Sequence, residues 1–128
     1  MASRIFGHRG ASGYAPENTL ESFDMAAKMG AHGVELDVHI CRSGELVVTH
    51  DETVERVSDG EGWVKDLSLK ELKALRFNRT HPEFRDARIP TLQEVFQLRM
   101  PTIQFRQWFG LQQPERLLIT LSTLLLRT

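Results

Sequence analysis

"GVELDVHI", Gly33 to Ile40, alternates with the period of a β-strand. A strand points successive side chains to opposite faces. Val34, Leu36, Val38 and Ile40 therefore share one face and want burial, while Glu35, Asp37 and His39 share the other. Two carboxylates side by side on one face repel each other. Water screens such a pair on an exposed face; a cation converts the repulsion into a binding site. The flanking sequence has to discriminate between the two.

Upstream, "RIFG" (Arg4 to Gly7) is a short strand candidate running into "HRGASGYAPENT", a loop of Gly, Pro, Ser and Asn. Asn18 or Thr19 caps a helix over "LESFDMAAKMG", with Glu21 and Ser22 in its first turn and Gly30 as its stop. Downstream, the turn "CRSGE" leads to a third strand, "LVVTHD", Leu46 to Asp51. "ETVERVSDGEGW" reads as irregular. Ser68 with Glu71, and Thr91 with Glu94, form capping boxes that start helices over "LKELKALRF" and "LQEVFQL". The order strand, helix, strand, strand, helix, helix fits a parallel α/β architecture. An open doubly wound sheet and the opening of a (β/α) barrel are both compatible with it.

Composition narrows the partners. The chain has 128 residues, 41% hydrophobic and 26% charged, with net charge −1. That balance gives no reason to expect nucleic acid or an anionic membrane surface. A single cysteine, Cys41, makes no internal disulfide, and "MASRIFGHRG" has no apolar run of a signal peptide. A cytoplasmic protein is expected. The apolar block Leu117 to Leu126 is about half of the ~20 residues a membrane-spanning helix needs, so no transmembrane segment is expected. After Leu98 the character changes: Lys and Asp vanish, Glu115 is the sole acid, and Gln104, Gln107, Gln112 and Gln113 crowd in. Residues 1–98 read as one domain part and 99–128 as a divergent tail. The tail is either a final helix covering the core or a segment foreign to the fold, as a shifted reading frame or a truncated gene would leave.

The three strand candidates end alike: the first in His8 and Arg9, the second in Glu35, Asp37 and His39, the third in His50 and Asp51. In parallel α/β folds the carboxyl ends of the strands form the active site. If the three are parallel neighbours, these side chains converge, which favours the cation. Glu35 and Asp37 offer hard oxygen ligands for Mg²⁺ or Ca²⁺. Arg9 presents a planar fork matched to phosphate oxygens. His8 and His50 titrate near neutrality, so one takes a proton while the other gives one. Glu17 and Asn18 brace the loop. A metal, a phosphate clamp and a histidine pair describe phosphodiester cleavage. Against this, a lone histidine at a strand end is more often structural, and a Glu-x-Asp pair is common on a solvated face. His39 reads as supporting or solvent-facing, His32 and His81 as surface, Cys41 as structural, and Trp63 and Trp108 as packing residues. Gly10 and Gly13 offer a phosphate cradle, without the Lys-Ser/Thr ending of a P-loop.

"HRGASGYAPENTLESF", "GVELDVHICRSGELVVTHDETVERVSDGEGWVKDLSLKELKAL" and "IPTLQEVF" resemble the glycerophosphodiester phosphodiesterase family from about Ile5 to Leu98. The resemblance implies a TIM-type (β/α)₈ barrel, of which this chain holds about the first half. It implies hydrolysis of small-molecule glycerophosphodiesters to glycerol 3-phosphate and an alcohol. It makes His8 and His50 the acid–base pair, Arg9 the phosphate contact, Glu35 and Asp37 ligands of Ca²⁺ or Mg²⁺, and Glu17, Asn18 and Asp51 supporting residues. One departure stands out. The family carries a third metal-ligating Glu in a motif like Ile-Glu-Leu-Lys soon after "IPTLQEVF"; here "RMPTIQFRQWFGLQQ" has no such Glu or Lys, and Glu115 lies outside that motif. A related phosphodiesterase of lysolipid or sphingolipid headgroups, and an inactive fragment acting by association through its leucine-rich tail, are the alternatives.

Overall fold

A computed structural model describes residues 5–98, together with the backbone of Gln104–Gln107 and Arg116–Thr120. The quoted strand forms in full as β2 (Gly33–Ile40). β1 (Phe6–His8) pairs parallel to it, with Phe6 opposite Gly33 and His8 opposite Glu35. Parallel neighbours need a crossover, and α1 (Leu20–Lys28) supplies it. Thr19 caps α1 through a box in which its hydroxyl accepts from the Ser22 backbone and Ser22 answers the Thr19 N–H. Phe23 and Ala26 of α1 bury Val34, Leu36 and Val38, so the apolar face of β2 lies under helices. Alternation then turns Glu35, Asp37 and His39 to the other side.

The third strand departs from the parallel expectation. β3 (Leu46–Val48) is antiparallel to β2, with Val38 opposite Val48 and Ile40 opposite Leu46. The reason is length: the turn Cys41 to Glu45, with Gly44 at φ 94°, is a hairpin connection and far too short for a crossover. β3 also ends before Asp51. The Val48 N–H is taken by the Pro90 carbonyl, and the Thr49 N–H by Asp37. The reversal does not scatter the polar residues, because β3 runs back along β2 toward Asp37 and delivers His50 there.

A second core gathers Cys41, Val47, Val54, Val57, Val64, Leu72, Phe77 and Ile89. It is closed by a 3₁₀ turn at Val64–Asp66, by α2 (Leu69–Ala74) and by the loop to α3 (Leu92–Phe96). Ser68 with Glu71, and Thr91 with Glu94, cap the two helices through complete boxes. Val95 of α3 joins the first core. Trp63 is not a packing residue: it is 46% exposed, with Lys65 Nζ 5.3 Å from its ring centroid. Trp108 lies outside the described residues.

In the tail, β4 (Gln104–Gln107) and β5 (Arg116–Thr120) pair antiparallel, and β5 runs antiparallel along β2 from Gly33–Thr120 to Asp37–Arg116. The expectation of a final helix is therefore corrected over Arg116–Thr120. A sheet edge with unpaired backbone groups recruits another strand, and this edge of β2 is occupied by β5. Among the described residues no helix is long and apolar enough to cross a membrane.

Candidate active site

The site begins where β1 ends. After His8 the chain turns through Arg9 at φ 59° and Gly10 at φ 82°, and the same loop closes at Asn18 with φ 56°. Left-handed backbone costs a non-glycine residue ~1–3 kcal/mol and persists only where surroundings enforce it. Here they do: Arg9 N–H donates to the Glu35 carbonyl at 2.8 Å, and the Arg9 carbonyl accepts from Asn18 N–H at 2.8 Å and from Ser22 Oγ at 3.2 Å. Gly10 seats this loop on α1. A Cβ there would stand 2.3 Å from Ser22 Oγ.

Ion pairs tie the loop to the segment after β3. Arg9 Nη1 meets Glu17 Oε2 at 3.1 Å. Arg56 Nη1 meets Glu17 Oε1 at 2.7 Å, and its Nε meets Asp51 Oδ2 at 2.9 Å. His50 Nδ1 donates to Asp51 Oδ1 at 2.8 Å, which makes Nε2 the accepting nitrogen of the neutral ring. The hydrogen bonds from Arg56, outweighing the cost of burial, hold the Asp51 carboxyl at about 2. Burial works to raise the pKa of Glu17, but the hydrogen bonds and charges of Arg56 and Arg9 prevail and lower it. Glu17 and Asp51 in turn raise the pKa of Arg56.

Asp37 sits at the centre, 2% exposed. Burial raises its pKa; His50, the amide of Asn18, Arg9 and His8 pull the other way without cancelling the shift. Arg9 Nε is 3.9 Å from Asp37 Oδ2, and His8 Nε2 is 3.3 Å from Glu35 Oε1. The opening alternative of a water-screened face fails for Asp37, which is out of the water. The pair Glu35 and Asp37 offers carboxylate oxygens, which suit a hard divalent cation in kind. It falls short in number: among the described residues no group of three or more His, Cys, Asp or Glu side chains is placed to hold a metal ion.

His8, Arg9, Asn18, Glu35, Asp37 and His50 therefore share one mouth, with Glu17 and Asp51 behind Arg9 and His50. His39 lies at its edge and donates from Nε2 to the His50 carbonyl at 2.9 Å. His32 is exposed, as a surface residue, and its Nδ1 accepts from the Ile5 N–H at 2.9 Å just before β1. Cys41 is buried, 3% exposed, in the second core. Arg56 was not expected. A single arginine in an irregular stretch carries no local signal, because its partner Glu17 is 39 residues away.

A parallel β1–α1–β2 unit with a charged mouth beside it defines an α/β protein. Residues 8–109 match the model of the glycerophosphoryl diester phosphodiesterase family, and the chain belongs to that family. The match runs past Leu98 into the tail. The chain is 50% identical over 99 residues to the glycerophosphodiester phosphodiesterase of Caldanaerobacter subterraneus subsp. tengcongensis, covering 77% of this chain and 41% of that protein. It is 44% identical over 97 residues to a Bacillus subtilis glycerophosphodiester phosphodiesterase, covering 69% and 33%. The crystal structure of an Agrobacterium tumefaciens glycerophosphodiester phosphodiesterase superposes with TM-score 0.70 at 37% identity, covering 73% of this chain and 41% of that one. An Oleispira antarctica phosphodiesterase solved with the product sn-glycerol-3-phosphate superposes with TM-score 0.71 at 39% identity, covering 73% and 38%. These neighbours are TIM-barrel enzymes, and residues 5–98 form the opening part of that fold. The chain spans about two-fifths of the length of the relatives and neighbours it matches.

Proposed function

We propose that the chain carries the phosphate-cleaving half of a glycerophosphodiester phosphodiesterase, releasing glycerol 3-phosphate and an alcohol. The observation that supports this reading most is the buried Asp37 with Arg9 Nε 3.9 Å from its carboxylate and His8 Nε2 3.3 Å from the neighbouring Glu35. Arg9, already held on one side by Glu17, offers the rest of its fork to a phosphoryl oxygen. The Asp51 contact fixes His50 with Nε2 as its accepting nitrogen, so His50 is the base that takes the proton of the attacking water or glycerol hydroxyl. His8 gives a proton to the leaving alkoxide. Glu35 and Asp37 would hold Ca²⁺ or Mg²⁺, with further ligands from water, substrate or carboxylates outside the described residues. Bound there, the cation would stabilise charge on the phosphoryl oxygens.

The test is a coupled assay for glycerol 3-phosphate, with glycerophosphocholine as substrate and Mg²⁺, Ca²⁺ or EDTA present. Metal-dependent release is expected. His50→Ala and His8→Ala should each lower kcat by about 10²-fold or more, the usual range for a lost acid or base. Retained turnover in either variant would remove its assigned role. No release from folded wild-type chain would mean that residues 1–98 with this tail make an incomplete site. We read the tail after Leu98 as departing from the family in its missing Ile-Glu-Leu-Lys-like motif, although the family match itself extends to residue 109. An Ile-Glu-Leu-Lys-like strand encoded in another frame past Leu98 would identify a frameshift, and its absence a genuine tail.

A further inference from the structure

The guanidinium of Arg56 is divided between two carboxylates. Nη1 and Nη2 reach Glu17 Oε1 and Oε2 at 2.7 and 3.0 Å, and Nε and Nη2 reach Asp51 Oδ2 and Oδ1 at 2.9 and 3.1 Å. Each carboxylate also holds a side chain of the mouth. Glu17 Oε2 accepts from Arg9 Nη1 at 3.1 Å, and Asp51 Oδ1 accepts from His50 Nδ1 at 2.8 Å. The chain of contacts thus runs Arg9, Glu17, Arg56, Asp51, His50 without a break. Glu17 belongs to the loop between β1 and α1; Asp51 follows β3. At the mouth each segment has one backbone bond to β2, Arg9 N–H to the Glu35 carbonyl and Thr49 N–H to the Asp37 carbonyl, and beyond those bonds Glu17 and Asp51 lie outside regular structure.

We infer that Arg56 is a positioning residue, whose fork locks the loop carrying Arg9 to the segment carrying His50 and sets the spacing between them. The inference rests on the reading of Arg9 as phosphate clamp and His50 as base. An isolated surface ion pair contributes little, but two bidentate contacts in a network are the geometry in which such pairs matter. The planar fork is the essential feature. A lysine in its place supplies charge at one point and cannot span two carboxylates along two edges.

The experiment compares wild type, Arg56→Lys and Arg56→Gln by steady-state release of glycerol 3-phosphate and by amide hydrogen exchange. Misplacing a base or clamp by a fraction of an ångström costs turnover, so kcat should fall about tenfold or more in both variants. KM should stay within about threefold, since neither variant removes a group that touches substrate. Exchange should quicken at the Asn18 and Thr49 amides, which donate to Arg9 and Asp37, and stay unchanged at Leu72 in α2. Recovery of wild-type kcat in Arg56→Lys would overturn the inference, because charge alone would then suffice. Unchanged exchange at Asn18 and Thr49 in Arg56→Gln would overturn it as well. If Arg56→Gln does not fold, Arg56→Lys carries both readouts. If wild type releases no glycerol 3-phosphate, the functional reading fails by itself, and the exchange comparison still decides whether Arg56 forms the lock.

Discussion

The loop from Arg9 to Asn18 and the segment from Trp63 to Leu98 are built on opposite terms. The loop holds two non-glycine residues at positive φ, a glycine with no space for a Cβ, and ionisable side chains beside a buried carboxylate. The segment holds two short helices, each closed by a complete capping box, over an apolar core. The first region carries local strain that its contacts must offset; the second satisfies local rules at every step. Strain of this kind is expected where side chains must be held for chemistry.

The largest effect should come from adding one methyl group in each setting. Gly10 and Gly44 have similar positive φ, 82° and 94°, so alanine carries the same left-handed penalty of ~1–2 kcal/mol at both. The space differs. At Gly44 nothing lies within 4 Å of the new Cβ, while at Gly10 it meets Ser22 side chain and backbone from 2.3 Å. Gly10→Ala should therefore cost ~3 kcal/mol or more, and Gly44→Ala only the conformational part. Urea melts of the two variants check this, and equal losses would show that the loop relaxes away from α1.

The same contrast explains what could be read from sequence. Capping boxes are local, so Ser68 with Glu71 and Thr91 with Glu94 announce their helices within four residues. β2 is legible in extent because its alternation is uninterrupted, but Ile40, expected to be buried with Val34, Leu36 and Val38, is 62% exposed where the strand runs out beyond the helices. The third strand misleads: "LVVTHD" has strand composition throughout, but Pro90 takes the Val48 N–H and the chain leaves the sheet. Its direction was legible in principle, since the short "CRSGE" connection permits only a hairpin. His8 and Arg9 stand out because they end β1, His50 because it follows β3, and Glu35 and Asp37 because they alternate with the apolar residues inside β2. Arg56 was missed because its importance lies in long-range geometry, and the positive φ at Arg9 and Asn18 because neither residue type demands it.

A smaller effect compares caps. Ser68→Ala removes an exposed cap and should cost ~1 kcal/mol without touching the mouth. Thr19→Ala removes a cap that is 1% exposed and also donates its Oγ1–H to the Pro16 carbonyl at 2.6 Å. The buried carbonyl left behind adds a further ~1–2 kcal/mol, and the loop bearing Glu17 and Asn18 loses its anchor. Thr19→Ala should therefore lower both the melting temperature and the release of glycerol 3-phosphate, where Ser68→Ala lowers only the first. Equal activity in the two variants would separate the loop anchor from the site.

The smallest effect is a slope. Arg56 and His50 hold the Asp51 carboxyl at about 2, against 3.8 for an unperturbed Asp. A carboxyl whose pKa is lower folded than unfolded binds fewer protons in the native state. Its contribution is complete above 3.8 and is lost as pH falls through about 2. Asp51 and Arg56 side chains are 27% and 44% exposed, so water and salt screen the pair and the loss should stay below ~1 kcal/mol. Glu71 is also lowered, chiefly by the Ser68 backbone N–H in its capping box, with a smaller contribution from the charge of Arg42 across the fold. Asp51→Asn should flatten the acid limb of a urea-melt series between these two pH values, and added salt should flatten it in wild type. Removing Glu71 should leave the salt response of that limb in place, because Asp51 still faces Arg56. If Asp51→Asn keeps the full acid slope, the coupling between the two segments is weaker than their hydrogen bonds imply, and the ordered mouth owes more to the crowded Gly10 and Ser22 contact than to its charges.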